Sequence, residues 1–335
     1  MALQKRPKKS STKPLTGRVA LVAGATRGAG RGIARALAEA GALVYCTGRS
    51  ITGSLSDYGR PETIDATAAI IEAAGGKAIS VRVDHTIERE VAALYRRILR
   101  RHKRLDIVVD SVAGEDPLMK QHGSLWETNL KNADRIFRQG LVSRIITAKY
   151  AARAMIPAKS GLIVVMTEND IIGAAANPMA HLVKTAQKTL PLGWAVELEE
   201  HGVSVVSLTP GFLRSESVLD YFAVTEDNWR EAGSKDANFL ASESPLFVGR
   251  AVASLAADPK VHERTGMLFS SWELARDYGF TDYDGRRPDW GRHPIDFTVL
   301  PPAWIQYIRT STSLELKWLT TLAARARKLC AKIPA

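Results

Sequence analysis

A glycine-rich stretch near the N-terminus has the spacing of a phosphate-binding loop. Gly24, Gly28 and Gly30 lie between an apolar run at 17–23 and a helical pattern at 31–39. Glycines let the backbone turn tightly and come close to a ligand. The helix that follows presents free backbone N–H groups and a partial positive charge at its N-terminus, and both attract phosphate. The strand–loop–helix context predicts a diphosphate site rather than a merely structural turn.

This loop must be positioned by a sheet, and from about residue 16 the chain alternates short apolar runs with helical patterns. Continuous apolar strands separated by helices predict a parallel sheet that is covered on both faces. Right-handed crossovers make such a sheet doubly wound, so we expect a single-domain, Rossmann-like α/β fold. The predicted strands are 17–23, 42–47, 77–83, 105–109, 162–167 and 203–208. The predicted helices are 31–39, 62–74, 88–101, 133–155 and about 180–200.

The spacing Gly-x-x-x-Gly-x-Gly at 24–30 resembles the short-chain dehydrogenase/reductase family, and the resemblance covers roughly residues 16–270. The resemblance implies that Asp84 contacts adenine, with His85 beside it as a candidate wall of that pocket. It also implies that Lys184 is the active-site lysine. The cofactor-binding residues expected from the loop and from the resemblance are Gly24, Thr26, Arg27, Gly28, Gly30, Arg49, Asp84, Lys184, Pro210, Gly211 and Ser215.

The end of the second predicted strand favours NADP(H) over NAD(H). An acidic residue there would bind the ribose 2′-hydroxyl and select NAD. This chain has Gly48 followed by Arg49, and Arg27 lies within the glycine loop. Two guanidinium groups converging on the adenosine ribose would suit a 2′-phosphate, which accepts bidentate hydrogen bonds. The alternative is that Arg49 points into solvent.

The proton donor that the resemblance implies is absent. The family reduces carbonyls with a Tyr-x-x-x-Lys pair, whose spacing of four places both side chains on one helix face. Here Ala180 stands at the tyrosine position before Lys184, and the sequence contains no other Tyr-x-x-x-Lys. Gly140 stands at the family asparagine, and 110–114 replaces the usual Asn-Asn-Ala-Gly. One exchanged tyrosine would not explain all these departures.

Several groups could replace the missing tyrosine. His181 is about 100° around the helix from Ala180, and its unperturbed pKa suits proton transfer; the alternative for His181 is a pocket-wall role. Glu168, Asp170, Lys184 itself or an ordered water are other candidates. Thr167, thirteen residues before Ala180, has the usual separation of the family serine, although strand alignment also allows Glu168 there. The expected catalytic residues are Lys184, Thr167 and His181.

The composition excludes several classes of protein. Hydrophobic residues make up 45% and charged residues 24%, as in a soluble globular domain. No uncharged apolar run approaches the roughly 18–20 residues of a membrane span, and no apolar stretch follows the basic N-terminus as in a secretory signal. Cys46 and Cys330 form no disulfide framework, which favours the cytoplasm. The acidic residues at 168–170 lack histidine or cysteine at ligand spacing, so we expect no metal.

The net charge of +11 belongs to the two ends of the chain. Residues 1–17 carry +5 and residues 301–335 carry +5, so the body at 18–300 is nearly neutral. A nucleic-acid-binding domain more often has a basic face on its folded body, so we expect no nucleic-acid partner. The amphipathic pattern near the C-terminus favours packing on the body or a second subunit over attachment to a membrane. The predicted division is a basic flexible tail at 1–15, a Rossmann-like domain at 16–300 and a basic helical extension at 301–335.

The sequence therefore predicts an NADP(H)-dependent oxidoreductase with an atypical site, in which Lys184 holds the nicotinamide ribose and Thr167 binds the substrate oxygen. The resemblance implies a homo-oligomer formed through the long helices and a cap near 213–229. The substrate is expected to be small and fairly apolar, because apolar side chains surround the inferred pocket. These are Val112, Met166, Ile171, Ile172, Met179 and Phe212. The alternatives are a non-redox enzyme, such as a cyclase, isomerase or dehydratase, and a catalytically silent binding protein.

Overall fold

Seven parallel strands form one sheet in the order β3-β2-β1-β4-β5-β6-β7. The computed structural model describes residues 13–55, 59–115, 118, 125–168 and 178–293. The strands are β1 (Val19–Ala23), β2 (Leu43–Gly48), β3 (Lys77–Arg82), β4 (Ile107–Asp110), β5 (Gly161–Met166), β6 (Val203–Thr209) and β7 (Leu268–Ser270). The strand order reverses between β1 and β4, which opens a crevice at the carboxyl edge of the sheet.

Helices cover both faces of the sheet, as the sequence predicts. They are α1 (Gly28–Glu39), α2 (Ile64–Ala73), α3 (Glu88–His102), α4 (Leu130–Phe137), α5 (Ser143–Met155), α6 (Pro178–Glu199), α7 (Glu216–Phe222), α8 (Pro245–Ala257) and α9 (Ser271–Tyr278). Alternate residues of a strand point to opposite faces. Ala20 and Val22 of β1 therefore pack against α1, α2 and α8, whereas Val19 and Leu21 pack against α3, α5 and α6.

The structure confirms the doubly wound α/β fold and the six predicted strands, whose ends fall within two residues of the prediction. The start of α1 differs more, because Gly28 and Gly30 belong to its first turn rather than to the preceding loop. Residues 1–12 and 294–335 lie outside the described residues. The division at 15/16 and 300/301 therefore stays a prediction.

A π-helical turn, Arg138–Val142, joins α4 to α5 within the region predicted as one helix over 133–155. It turns the carbonyl oxygen of Gly140 toward side chains. Arg144 donates its Nε to this oxygen at 3.1 Å, and Gln187 of α6 donates its Nε2 at 2.8 Å. Turns of this kind are rare and frequently lie at functional sites. This one ties the α4–α5 region to α6 beside the carboxyl edge of the sheet.

His85 lies in the core rather than at the adenine pocket suggested for it. Its Nε2 lies 2.9 Å from the Thr47 hydroxyl of β2, and its Nδ1 lies 2.9 Å from the Thr147 hydroxyl of α5. Burial removes the hydration of the charged ring and lowers the pKa of His85 from 6.5 to about 4, against a smaller opposing effect of Asp84. The imidazole is therefore neutral and bridges two core elements.

We expect His85 to make the fold sensitive to acid. Between pH 4 and 6.5 the unfolded chain protonates this histidine while the native state does not, so the free energy of unfolding falls as the pH falls. The loss is about 1.4 kcal/mol per pH unit, or roughly 3 kcal/mol across the window. His85→Gln should give a shallower pH dependence in urea unfolding at pH 7, 6 and 5.

The matched control is His201→Gln, which replaces a partly exposed histidine. It should keep the wild-type dependence on pH. Equal slopes for the wild type and His85→Gln would contradict the neutral, buried assignment.

Candidate active site

The glycine loop passes through the crevice between β1 and β4. Gly24 has a φ of +83°, and a Cβ at this position would lie 2.3 Å from the carbonyl oxygen of Ser111, which follows β4. The N–H groups of Gly24 and Ala25 donate to the carbonyl oxygen of Thr47 at 2.9 and 3.0 Å. Only glycine fits this passage. The loop thus lies where the strand order reverses, the usual ligand-binding place of an open α/β sheet.

The side-chain carboxylate of Glu216 lies at the N-terminus of α1. The N–H of Gly28 donates to Oε2 of Glu216 at 2.7 Å, and Nη1 of Arg31 donates to Oε1 of the same carboxylate at 2.9 Å. Ser215, just before Glu216, lies with its Cβ 3.3 Å from the position that a Cβ at Gly28 would take. The Glu216 carboxylate occupies donors of the kind that bind phosphate at a helix N-terminus. The loop therefore fits the diphosphate of a dinucleotide.

The two arginines expected at the adenosine ribose contact different parts of the crevice. Nη1 of Arg27 lies 3.8 Å from Oε2 of Glu62, and Nη2 of Arg60 lies 2.6 Å from Oε1 of the same carboxylate. Arg49 reaches the loop after β4, where its Nη2 lies 3.3 Å from the position that a Cβ at Gly114 would take. The structure thus brings Arg27 together with Arg60, which sequence reasoning did not select.

Asp84 and Thr26 are held by short-range hydrogen bonds. Oδ1 of Asp84 accepts from the backbone N–H and the hydroxyl of Thr86 at 2.9 and 2.7 Å, and the Asp84 N–H donates to Oε2 of Glu90 at 2.8 Å. The Thr26 carbonyl oxygen accepts from Nη2 of Arg31 at 2.8 Å. These bonds fix the backbone on both sides of the place expected for an adenosine.

A buried carboxyl group holds the Pro210–Gly211 turn after β6. Oε2 of Glu243 accepts from the N–H of Gly211 at 3.0 Å and from the Ser271 hydroxyl at 2.5 Å. Burial raises the pKa of Glu243 to about 8, and the hydrogen bonds from Ser271 and Gly211 oppose that rise only in part. At neutral pH the group is mainly protonated. The turn beside the expected nicotinamide is therefore held by a carboxyl group that is mostly neutral.

Lys184 of α6 lies between an interior carboxylate and a surface carboxylate. Its Nζ lies 3.4 Å from Oε1 of Glu115 and 3.0 Å from Oε1 of Glu168. The Glu115 side chain is fully buried, whereas that of Glu168 is 51% exposed. Nε2 of Gln187, one turn farther along α6, lies 3.3 Å from the same Glu115 oxygen. The ammonium group thus links the interior to the carboxyl edge of the sheet.

Thr167 comes directly after β5 with a buried hydroxyl. This hydroxyl has no hydrogen-bond partner in the part of the chain that the structure describes. A buried polar group without a hydrogen-bond partner lowers the stability of the fold, and a bound ligand is one group that could supply the partner. Positions 180 and 181 lie in the first turn of α6, one turn before Lys184, but the His181 side chain and residues 169–177 lie outside the described residues. The role predicted for His181 stays a prediction.

The segment 212–243, which contains the expected cap, includes the short helix α7 and is closed at its base by backbone hydrogen bonds. The Glu243 N–H donates to the Phe212 carbonyl, and the Arg214 N–H donates to the Glu243 carbonyl, both at 2.9 Å. The fully buried Arg214 guanidinium lies 4.2 Å from the centroid of the Trp229 ring and 2.8 Å from Oε1 of Glu226. Since Glu216 contacts the glycine loop, this segment lies against the phosphate-binding end of the crevice.

Sequence reasoning missed the residues whose partners are distant in the chain. Glu216 gave a local signal, an acid in the first turn of a helix, but it is 188 positions from Gly28. Glu115, Glu243 and Arg60 belong to no motif, so no spacing could have pointed to them.

The described residues offer neither a metal site nor a membrane-spanning helix. In 13–55, 59–115, 118, 125–168 and 178–293, no group of three or more histidine, cysteine, aspartate or glutamate side chains is placed to hold a metal ion. No helix in those ranges is long and apolar enough to cross a membrane.

Comparisons with known proteins agree with this fold. A family model described as short chain dehydrogenase matches residues 18–223. "Dehydrogenase/reductase SDR family member 1" of Mus musculus is 37% identical over 278 residues, which cover 82% of this chain and 85% of that protein. The Homo sapiens protein of the same name is 34% identical over the same shares. A crystal structure of hydroxysteroid dehydrogenase from Escherichia coli has a TM-score of 0.62 at 20% identity, covers 77% of this chain and 96% of its own, and shows the fold alone.

Proposed function

The chain belongs to the short-chain dehydrogenase/reductase family, and on this premise we propose that it is an NADP(H)-dependent oxidoreductase for a small, fairly apolar carbonyl or alcohol substrate. The contact between the Glu216 carboxylate and the N–H of Gly28 carries the proposal. It marks an anion site at the N-terminus of α1, in the crevice where the strand order reverses. A diphosphate suits this site because it offers the same kind of oxygen.

The residues that would hold NADP(H) line this crevice from the adenosine end to the nicotinamide end. Arg27 and Arg49 would bind the 2′-phosphate, and the Glu62 carboxylate that lies beside Arg27 is itself paired with Arg60. The remaining contacts would come from Gly24, Thr26, Gly28, Gly30, Asp84, Lys184, Pro210, Gly211 and Ser215. When bound, the nicotinamide would supply a hydride to a carbonyl carbon or accept one from an alcohol carbon.

Thr167 and Lys184 would orient the reacting groups. The buried hydroxyl of Thr167 would bind the substrate oxygen, since it has no other partner among the described residues. Lys184 would bind the nicotinamide ribose. The preference for a substrate of low polarity rests on the apolar residues expected around the pocket. Of these, Val112, Met166, Met179 and Phe212 belong to the described part of the chain.

The proton would come from a group other than the family tyrosine. His181 is the candidate that we favour, because it adjoins Ala180 in the first turn of α6 and histidine titrates near neutral pH. Glu168, Asp170, Lys184 and an ordered water are the alternatives. Positioned general acids commonly contribute about 10²–10⁴-fold to the rate.

Arg49→Asp should weaken NADPH binding far more than NADH binding. Removing a charge-assisted contact and adding a negative charge should weaken NADPH binding roughly 10–100-fold, while NADH binding changes little. Both affinities can be measured by calorimetry at fixed ionic strength. Arg96→Asp on the exposed surface of α3 makes the same change of net charge and should leave both affinities near wild type. Equal losses for NADPH and NADH would contradict the role of Arg49.

His181→Ala should lower turnover by about 10²-fold or more and leave NADPH affinity unchanged, because only the proton transfer would be lost. The measurement is NADPH oxidation with an accepted carbonyl substrate, together with a binding titration. Glu168→Gln provides the comparison, since Glu168 is the alternative acid at the surface. Undiminished turnover in His181→Ala would reject histidine as the donor.

Ala180 also supports a second candidate function, a non-redox enzyme on the same scaffold. A site without the family proton donor could still bind and polarise a substrate for elimination, isomerisation or cyclisation. A product of unchanged oxidation state, formed without net use of NADPH, would favour this candidate.

We further propose a homo-oligomer in the cytoplasm. Leu130, Val142 and Ile145 on the 130–155 helical region, and Leu182 and Val196 on α6, are exposed apolar side chains. Their position supports contacts between subunits through these helices. The cytoplasmic location rests on cysteine usage, and Cys46 is a free, buried thiol.

A further inference from the structure

A fully buried carboxylate, Glu115, lies where the sequence gave no reason to expect one. It follows the loop after β4, and its Oε1 faces both Lys184 and Gln187 of α6 at 3.4 and 3.3 Å. Its Oε2 is buried and has no hydrogen-bond partner within the described ranges. A buried charge is stable only when it is paired. The Lys184 ammonium is the positive charge that pairs with it.

The space for this carboxylate exists because position 140 is glycine. A Cβ at Gly140 would lie 3.0 Å from Cδ and 3.1 Å from Oε1 of Glu115, and 2.5 Å from Cγ1 of Val183. The family has an asparagine at this position, according to the resemblance described above. In this chain the side chain of Glu115, from the loop after β4, lies next to position 140. The π-helical turn directs the Gly140 carbonyl oxygen to Nε2 of Gln187.

We propose that Glu115 is the positioning residue for Lys184, and that its carboxylate, in the space left by Gly140, holds the lysine ammonium at the nicotinamide end of the crevice. The inference rests on the proposed function, since it concerns the lysine expected to bind the cofactor. The pair with Glu115 fixes the ammonium of Lys184 from the interior.

Burial decides which of the two carboxylates governs Lys184. Attraction between opposite charges grows as the surroundings become less polar, so the pair with Glu115 outweighs the pair with half-exposed Glu168 at a similar distance. Gln187 holds the Glu115 oxygen from the same helix and limits its motion. The lysine is thus fixed from the interior, and the surface carboxylate contributes less.

Acylation of lysine side chains by acetic anhydride tests the proposal without a substrate. The uncharged amine attacks a carbonyl carbon of the anhydride and acetate leaves, whereas a lysine ammonium held by a buried carboxylate has no lone pair with which to react. Glu115→Gln keeps the size of the side chain and removes the charge. It should raise the acylation rate of Lys184 about tenfold, as measured by peptide mass spectrometry, and weaken NADPH binding about tenfold.

The chain offers matched controls for charge, burial and shape. Lys149 and Glu88 form a half-exposed pair at 2.8 Å, so Glu88→Gln should change Lys149 acylation less than about twofold. Glu168→Gln should also change Lys184 acylation only slightly. Glu115→Asp keeps the negative charge, so Lys184 should stay protected from acylation. If Glu115 only filled space, the shorter aspartate would leave Lys184 more reactive. It also tests the proposal if Glu115→Gln fails to fold.

The acylation rates and the NADPH affinities together test the proposal. Lys184 acylation at the wild-type rate in Glu115→Gln would overturn the proposal. Faster acylation with unchanged NADPH affinity would overturn it as well, because the lysine would then be held without consequence for the cofactor. If the wild-type protein does not bind NADPH, the proposed function fails, while the acylation rates still show whether Glu115 governs Lys184.

Discussion

The first backbone N–H groups of α1 have no hydrogen-bond partner within the helix, and they lie in a crevice of the sheet. A negatively charged group stabilises such a helix N-terminus. Gly24 brings the chain into the crevice because no side chain fits against the Ser111 carbonyl. In the structure the anion is Glu216, from the first turn of α7. That contact draws the 212–243 segment onto the glycine loop, and the buried Arg214 ties the same segment to Glu226 and Trp229. The proposed phosphate binding and the placement of this segment would therefore depend on the same donors, the N–H of Gly28 and the guanidinium of Arg31.

Lys184 lies at the other end of the crevice. Several residues near it in the sequence or the fold differ from those that the family resemblance implies. Ala180 supplies no hydroxyl, Gly140 supplies no side chain, and the Glu115 carboxylate lies against both the lysine and the glycine. Thr167 adds a hydroxyl without a partner among the described residues. These features are linked, because a Cβ at position 140 would lie 2.5 Å from Cγ1 of Val183 and 3.0 Å from Cδ of Glu115, so both neighbours would have to shift. Glu115, Gly140 and Lys184 thus lie together in the folded chain.

The sequence predicts the sheet well, because continuous apolar strands and their helical spacers follow from local patterns. It also predicts the glycine loop, whose spacing reflects backbone geometry within a few residues. The interactions of Glu216 and Glu115 escape such reasoning, since their partners lie on other elements and only the folded topology brings them together. His85 shows the same limit, as adjacency to Asp84 suggested a ligand pocket whereas the fold places the ring between Thr47 and Thr147. The π-helical turn likewise depends on side chains of α5 and α6.

The most direct test of the account is a calorimetric titration of the wild type and Glu216→Gln with NADPH and NADH. We expect the wild type to bind both, NADPH more tightly. Glu216→Gln should bind each about fivefold more tightly, because a charged carboxylate no longer competes for the donors of α1. Glu231→Gln, a change of an exposed acid in the same segment, should match the wild type. Failure of both cofactors to bind, or weaker binding of both by Glu216→Gln, would contradict the assignment of this helix N-terminus as the phosphate site.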